Sequence, residues 1–130
     1  MPPRAVLFDA VGTLIHLREP VGDTYARLSG GGDAQRLQAA FNRALRARPP
    51  MVFGDLPAAA LAEAERGWWH ELVREVFAAA GAPLADAAFE RLWRHYAGAE
   101  AWRAAPGAEA LLRRLRESDK RIGLVSNFDH

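Results

Sequence analysis

The sequence contains no cysteine among its 130 residues. This absence excludes disulfides, thiolate metal sites and a cysteine nucleophile, and it fits a reducing compartment. No apolar run approaches the roughly 20 residues that a membrane-spanning helix needs. The opening MPPRAVLFDA also lacks the charged-then-apolar layout of a signal peptide. We therefore expect a cytoplasmic protein that does not engage a membrane.

The sequence also has no marked excess of basic or acidic residues. The chain has 17 basic and 16 acidic residues and a formal net charge of +1. This balance leaves no electrostatic footprint for nucleic acid, so we expect no nucleic-acid partner. With 50% hydrophobic and 25% charged residues, the composition is typical of one soluble domain that can bury a core.

The stretch RAVLFDAVGTLIH, residues 4–16, places one acid after a short apolar run. Ala5–Phe8 is continuous rather than alternating, which predicts a strand buried on both faces. Asp9 then lies at the carboxyl end of that strand, where open α/β sheets bind their ligands. The alternative is that Asp9 only caps a turn by accepting hydrogen bonds from the following backbone amides.

The middle of the chain, from Val21 to about Gly98, is helical in pattern with no convincing strand. A first helix is predicted from Pro20 or Val21 to the glycines at 30–32, and Asp33 can cap a second. A third helix ends at Gly81 and a fourth begins near Asp86. Together they predict a small bundle whose tryptophans serve packing.

A second strand is predicted near the end of the sequence. Pro106 and Gly107 open a fifth helix, extending to about Ser118, with an apolar stripe formed by Leu111, Leu112 and Leu115. Ile122–Val125 is a short buried strand that Ser126 and Asn127 follow. A right-handed crossover would make this strand parallel to the first. We therefore expect the polar residues after both strands to meet at one edge: Asp9, Thr13, Ser126 and Asn127.

Two motifs in this arrangement carry a family resemblance. FDAVGTL and GLVSNFD, separated by a helical insert, resemble the first two signature motifs of the haloacid-dehalogenase-like (HAD-like) hydrolase superfamily, in the branch with a helical cap. The stretches FDAVGTLIHLREPVGDTYA and WWHELVREVFAAAG resemble a poorly characterised hydrolase-like branch. The resemblance implies an α/β fold: a HAD-like Rossmannoid core, incomplete with two strands, over 1–16 and 100–130, and an inserted helical-bundle cap over 17–99.

The resemblance also implies a set of site residues. Asp9 would be the nucleophile that forms a covalent intermediate. In a phosphatase it would bind magnesium together with the backbone carbonyl of Val11. Ser126 and the amides beside it would hold the phosphoryl oxygens, with Gly12 in the same binding loop. Thr13 would order the loop, and Asn127 would orient either the substrate or the loop after the second strand.

Two departures from the family pattern limit what the resemblance implies. Phosphatases of the superfamily have a second aspartate as general acid where this chain has Val11. Haloacid dehalogenases also lack that acid, but they have a tyrosine in a sequence close to FDAYGTL. The chain ends at His130, after the second motif, without the family's later lysine and acidic residues. The magnesium ligand set is then incomplete, and we expect a fragment that is inactive by itself.

Three functions of different classes remain open at this point. The intact protein would be a phosphatase-type hydrolase of a small phosphorylated metabolite, a 2-haloacid dehalogenase, or a non-catalytic binding or assembly module. Two strands alone leave both sheet edges unpaired. We therefore expect either a homodimer or association with the missing C-terminal half through these edges.

Overall fold

The computed structural model describes residues 4–126, apart from the side chain of residue 86. They form two compact units: 4–18 with 99–126, the sheet unit, and 19–98, the helical unit. Assigning these units as core and cap remains a prediction. The elements in chain order are β1 Ala5–Phe8, β2 Ile15–Leu17, α1 Val21–Ser29, α2 Ala34–Ala47, α3 Ala58–Ala80, α4 Asp86–Ala97, β3 Trp102–Ala104, α5 Ala108–Glu117 and β4 Arg121–Leu124.

The sheet unit contains two separate strand pairs. β1 and β4 are parallel, in a register that runs from Ala5 opposite Arg121 to Phe8 opposite Leu124. This confirms the parallel pairing predicted from the crossover. β2 and β3 form an antiparallel ribbon that the sequence analysis missed. Strands of three residues are too short to show a periodicity of their own.

The prediction that the first strand is buried on both faces is wrong for the described residues. Leu7 of β1 is 68% exposed, and Leu124 of β4 is 60% exposed. The predicted apolar stripe of α5 is only partly covered, since Leu111 is 46% exposed while Leu112 and Leu115 are half-buried. This helix begins at Ala108 rather than Pro106, because Gly107 takes a left-handed conformation with φ 81° at the cap position. The sheet unit is therefore thinly covered.

The helical unit follows the predicted boundaries closely because its helix ends carry specific capping residues. The Asp33 carboxylate accepts a hydrogen bond from the Arg36 amide at 2.8 Å and caps α2. Gly30 and Gly81 end α1 and α3 in the left-handed conformation, with φ of 83° and 69°. Caps of this kind are local in sequence, which is why the sequence predicts them.

The core of the helical unit is closely packed. Its largest fully buried apolar side chains come from α2, α3 and α4: Leu37, Leu72, Val76, Phe77 and Leu92. Tyr25 of α1 stacks on Phe77 with a centroid separation of 5.7 Å. α1 and α2 approach so closely that a Cβ at Gly22 would lie 2.1 Å from the Ala34 carbonyl oxygen. Four helices thus bury a continuous apolar interior.

One polar group is buried where the chain enters the helical unit. The Thr24 hydroxyl, 1% exposed as a residue, donates to Glu19 Oε1 at 2.9 Å. Arg27 also donates to this oxygen. Both hydrogen bonds favour the ionised carboxylate and lower the pKa of Glu19 below its usual value.

Within residues 4–126, no helix is both long and apolar enough to cross a membrane.

Candidate active site

The turn that follows β1 is built around one carbonyl group. Ala10 C=O accepts hydrogen bonds from the amides of Thr13, Leu14 and Ile15, at 3.2, 2.8 and 3.0 Å. The Gly12 amide donates in turn to the Ile15 carbonyl at 2.8 Å. Gly12 has φ 85°, a conformation that favours glycine. These bonds fix the backbone that presents Asp9.

Asp9 lies directly after the last residue of β1, and its side chain is exposed. The Thr13 hydroxyl donates to Asp9 Oδ2 at 3.2 Å. This hydrogen bond spans the turn, so the residues that close the turn also orient the Asp9 carboxylate. The turn amides of Gly12, Thr13, Leu14 and Ile15 donate to backbone carbonyls rather than to Asp9, so the carboxylate takes part in the turn through the Thr13 hydroxyl and remains open to solvent.

Ser126 lies at the same edge of the parallel pair as Asp9. The Val125 amide donates to the Phe8 carbonyl at 2.8 Å, which extends the β1–β4 pairing by one residue. Asp9 follows Phe8, and Ser126 follows Val125 with its side chain exposed. The two predicted site residues are thus the first polar side chains beyond adjacent strand ends. Asn127, predicted with them, lies outside the described residues.

The family resemblance predicts two oxygen ligands for a metal ion in this segment. They are the Asp9 carboxylate and the Val11 carbonyl, which none of the four turn hydrogen bonds engages. Within the described residues, no group of three or more His, Cys, Asp or Glu side chains could hold a metal ion. Magnesium prefers near-octahedral coordination by oxygen. These residues alone therefore do not make a magnesium site, although the ion is common in HAD-type hydrolases.

The ribbon formed by β2 and β3 continues directly from the Asp9 turn. The Ile15 amide bonds to Ala10, and the Ala105 amide donates to the Leu14 carbonyl at 2.8 Å. Sequence analysis left this segment out of the site. Ile15–Arg18 alternates apolar and basic residues, but four residues are too few to distinguish a strand from chance.

Comparison with protein families agrees with this arrangement. A family model described as haloacid dehalogenase-like hydrolase matches residues 3–130, which is nearly the whole chain. The chain belongs to this family. The match includes both strand ends, with Asp9 after β1 and Ser126 after β4, and the helices between them.

Curated relatives share the same family name. The haloacid dehalogenase-like hydrolase domain-containing protein 3 of Bos taurus is 32% identical over 135 residues, covering 97% of this chain and 52% of the relative. The Mus musculus protein of that name is 30% identical with the same coverage. The Danio rerio protein is 29% identical over 134 residues, covering 99% and 55%. The chain thus spans about half the length of the curated relatives it matches.

Proposed function

We propose that the protein is a phosphatase-type HAD-like hydrolase that acts on a small phosphorylated metabolite with Asp9 as covalent nucleophile. The observation that supports this most is the exposed Asp9 carboxylate at the carboxyl end of β1, oriented by Thr13 and level with the end of β4. Family membership supplies the hydrolase class. The substrate and the nucleophile are inferred from the site.

The proposed reaction has two steps. Asp9 Oδ1, which lies outside the Thr13 hydrogen bond, attacks phosphorus while the bond from phosphorus to the alcohol oxygen breaks. The alcohol oxygen keeps the electron pair and takes a proton from water. Water then attacks the phosphorus of the aspartyl phosphate, which releases inorganic phosphate and restores the carboxylate. Splitting one displacement into two lowers the barrier to each.

Ser126 and Gly12 have supporting roles in this proposal. The Ser126 hydroxyl would donate to a phosphoryl oxygen, since it follows β4 at the same edge as Asp9. The left-handed Gly12 keeps the turn free of a side chain where the phosphoryl group approaches. Fixed donors of this kind stabilise the charge that develops on the oxygens. No step is assigned to magnesium, because the described residues do not complete its coordination.

Val11 favours a second candidate function, dehalogenation of a 2-haloacid. Its side chain is 40% exposed in the turn and cannot transfer a proton. General acid catalysis typically contributes about 10²–10⁴-fold to a rate. A halide leaves without a proton, so attack of Asp9 on carbon does not need the missing acid. A non-catalytic module is the third candidate, and it predicts no covalent chemistry at Asp9.

Covalent labelling of Asp9 distinguishes these candidates. The chain is incubated separately with acetyl phosphate and with 2-bromopropionate, and the peptide containing Asp9 is analysed by mass spectrometry. Both reagents have leaving groups that need no proton, so Val11 does not limit either reaction. Asp9→Asn is the matched control, since the amide keeps the shape but loses the nucleophilic charge.

The proposal expects a phosphoryl adduct on the Asp9 peptide, absent from Asp9→Asn. Labelling needs only the first step of the reaction, so it does not require the turnover that we do not expect from this chain by itself. A carboxyalkyl ester without a phosphoryl adduct would overturn it in favour of dehalogenase chemistry. No adduct from either reagent would overturn it in favour of a binding module.

A further inference from the structure

Backbone hydrogen bonds continue the pairing of β2 with β3 beyond the three residues of each strand. His16 lies opposite Arg103 in the antiparallel register. Beyond the strands, the Arg18 amide donates to Ala101 at 2.9 Å and the Ala105 amide donates to Leu14 at 2.8 Å. The pairing therefore extends over residues 14–18 and 101–105.

This register gathers three basic side chains on one face of the ribbon. Side chains alternate between faces along a strand, and directly opposed residues share a face. His16 and Arg18 are two residues apart on one strand, and Arg103 is opposite His16. We call these three residues the cationic face. Leu17 and Trp102 are opposed on the other face.

The cationic face is not explained by ion pairing within the described residues. Arg18 and Arg103 are exposed, and His16 is half-buried. The ion pairs that the structure shows between arginine and carboxylate side chains involve four other arginines: Arg27, Arg48, Arg66 and Arg113. Arg18 and Arg103 thus place two positive charges on one face of the ribbon without a carboxylate partner among the described residues. Their concentration here therefore points to an anion from outside the chain.

The ribbon places this charge close to Asp9. Ile15 bridges Val11 in the turn, and His16 is the next residue. The Ile15 amide donates to the Ala10 carbonyl at 3.0 Å, and Asp9 and His16 are the outer neighbours of that pair. Their Cα atoms therefore lie no more than roughly 15 Å apart, a gap that the side chains shorten. A small metabolite can span such a distance, with one end at Asp9 and the other at the cationic face.

We propose that the cationic face binds a second anionic group of the substrate, a carboxylate or a phosphate distant from the phosphoryl group that Asp9 attacks. This inference rests on the proposed function and narrows its substrate class to phosphorylated metabolites that carry a further acidic group. Arginine suits this role because its planar guanidinium donates two parallel hydrogen bonds to either oxyanion.

Binding measurements test the inference without requiring turnover. Calorimetric titration of the chain compares glycerol 1-phosphate with 3-phosphoglycerate, which has a carboxylate in place of the hydroxymethyl group. A second pair, fructose 6-phosphate and fructose 1,6-bisphosphate, tests phosphate as the additional anion. The double variant Arg18→Gln/Arg103→Gln removes two charges from the cationic face. Arg114→Gln/Arg116→Gln removes two exposed charges from α5 of the same unit and serves as the matched control.

We expect the double variant of the ribbon to weaken binding of 3-phosphoglycerate, of fructose 1,6-bisphosphate or of both by about tenfold or more, since hydrogen bonds to charged groups are strong. Binding of the two single-anion ligands should stay within about twofold, and the α5 control should change little. Equal losses in the ribbon and α5 variants, or no loss in either, would overturn the inference.

Failure to bind any of the four ligands would also overturn this inference. The phosphoryl adduct on Asp9 is measured with acetyl phosphate, which carries no second anionic group. An adduct without selective binding would therefore reject the cationic face alone, whereas absence of the adduct would reject the proposed reaction.

Discussion

The two units of the molecule differ most in how they use apolar residues. In the helical unit, Leu72 and Val76 are completely buried and Phe77 is 1% exposed. In the sheet unit, the described residues that are buried are alanines at positions 10, 101 and 108, with 8%, 3% and 8% exposure. Its larger apolar residues are half-buried or exposed, and Leu7 and Val125 are 68% and 62% exposed.

Because of this difference, the closely packed apolar core lies in one unit and the candidate site lies in the other. Burial of large apolar side chains is the main stabilising contribution to a small domain, and the helical unit has most of it. The candidate nucleophile, the turn that orients it and the cationic face all belong to the sheet unit. The candidate site therefore belongs to the unit of the described chain that buries fewer large apolar side chains.

The largest expected effect compares the same leucine truncation in both units. Leu72→Ala removes a fully buried side chain and should lower the free energy of unfolding by about 2–5 kcal/mol. Leu7→Ala removes an exposed side chain and should change it by no more than about 0.5 kcal/mol. Urea denaturation followed by circular dichroism measures both. Similar losses in the two variants would show that β1 is packed as tightly as α3.

A pair of glycine substitutions sharpens the comparison within the helical unit. Gly22→Ala places a Cβ 2.1 Å from the Ala34 carbonyl oxygen and must push α1 away from α2, at a cost of about 1–3 kcal/mol. Gly67→Ala in α3 meets nothing within 4 Å and should instead stabilise the protein by about 0.5–1 kcal/mol. Thermal unfolding distinguishes the two, and a tolerated Gly22→Ala would mean that this helix contact adjusts freely.

The exposed strands predict self-association of the chain. Leu7, Leu124 and Val125 offer apolar surface beside unpaired strand edges, which pairing with another chain would cover. Light scattering over a concentration series should show dimers or larger species that Leu7→Lys reduces. Val52→Lys is the control, because Val52 is 79% exposed but belongs to the helical unit. A compact monomer at every concentration would contradict the prediction.

The smallest expected effect is magnesium binding to the isolated chain. One carboxylate and one carbonyl leave the ion largely hydrated, so we expect a dissociation constant no tighter than about 1 mM. Calorimetric titration with magnesium chloride measures it, with Asp9→Asn as the control. Micromolar affinity that Asp9→Asn abolishes would reveal further ligands.

The sequence predicts the parts of this fold that local chemistry determines. Asp33, Gly30 and Gly81 cap helices where their residue types favour it, and Ala5–Phe8 is a strand as expected. The ribbon was missed because β2 and β3 are short and far apart in sequence, so only tertiary pairing reveals them. The burial of β1 was also mispredicted, because an apolar strand is buried only when other elements cover it.

The candidate site is predictable to a similar extent. Asp9, Gly12 and Thr13 follow from one continuous motif, and Ser126 from a second strand with the same pattern. The hydrogen bond from Thr13 to Asp9 and the grouping of Arg18 with Arg103 depend on turn geometry and strand register. Residue spacing alone does not give either of them.

Hydrogen exchange of backbone amides tests most directly the claim that packing and chemistry are divided between the two units. Amides of α3 between Leu72 and Phe77 should open only with global unfolding. Those of Thr13, Leu14 and Ile15, which close the Asp9 turn, should exchange at least about tenfold faster through local opening. Equal protection of the Asp9 turn and α3 would contradict the division and show that the candidate site is as stable as the helical core.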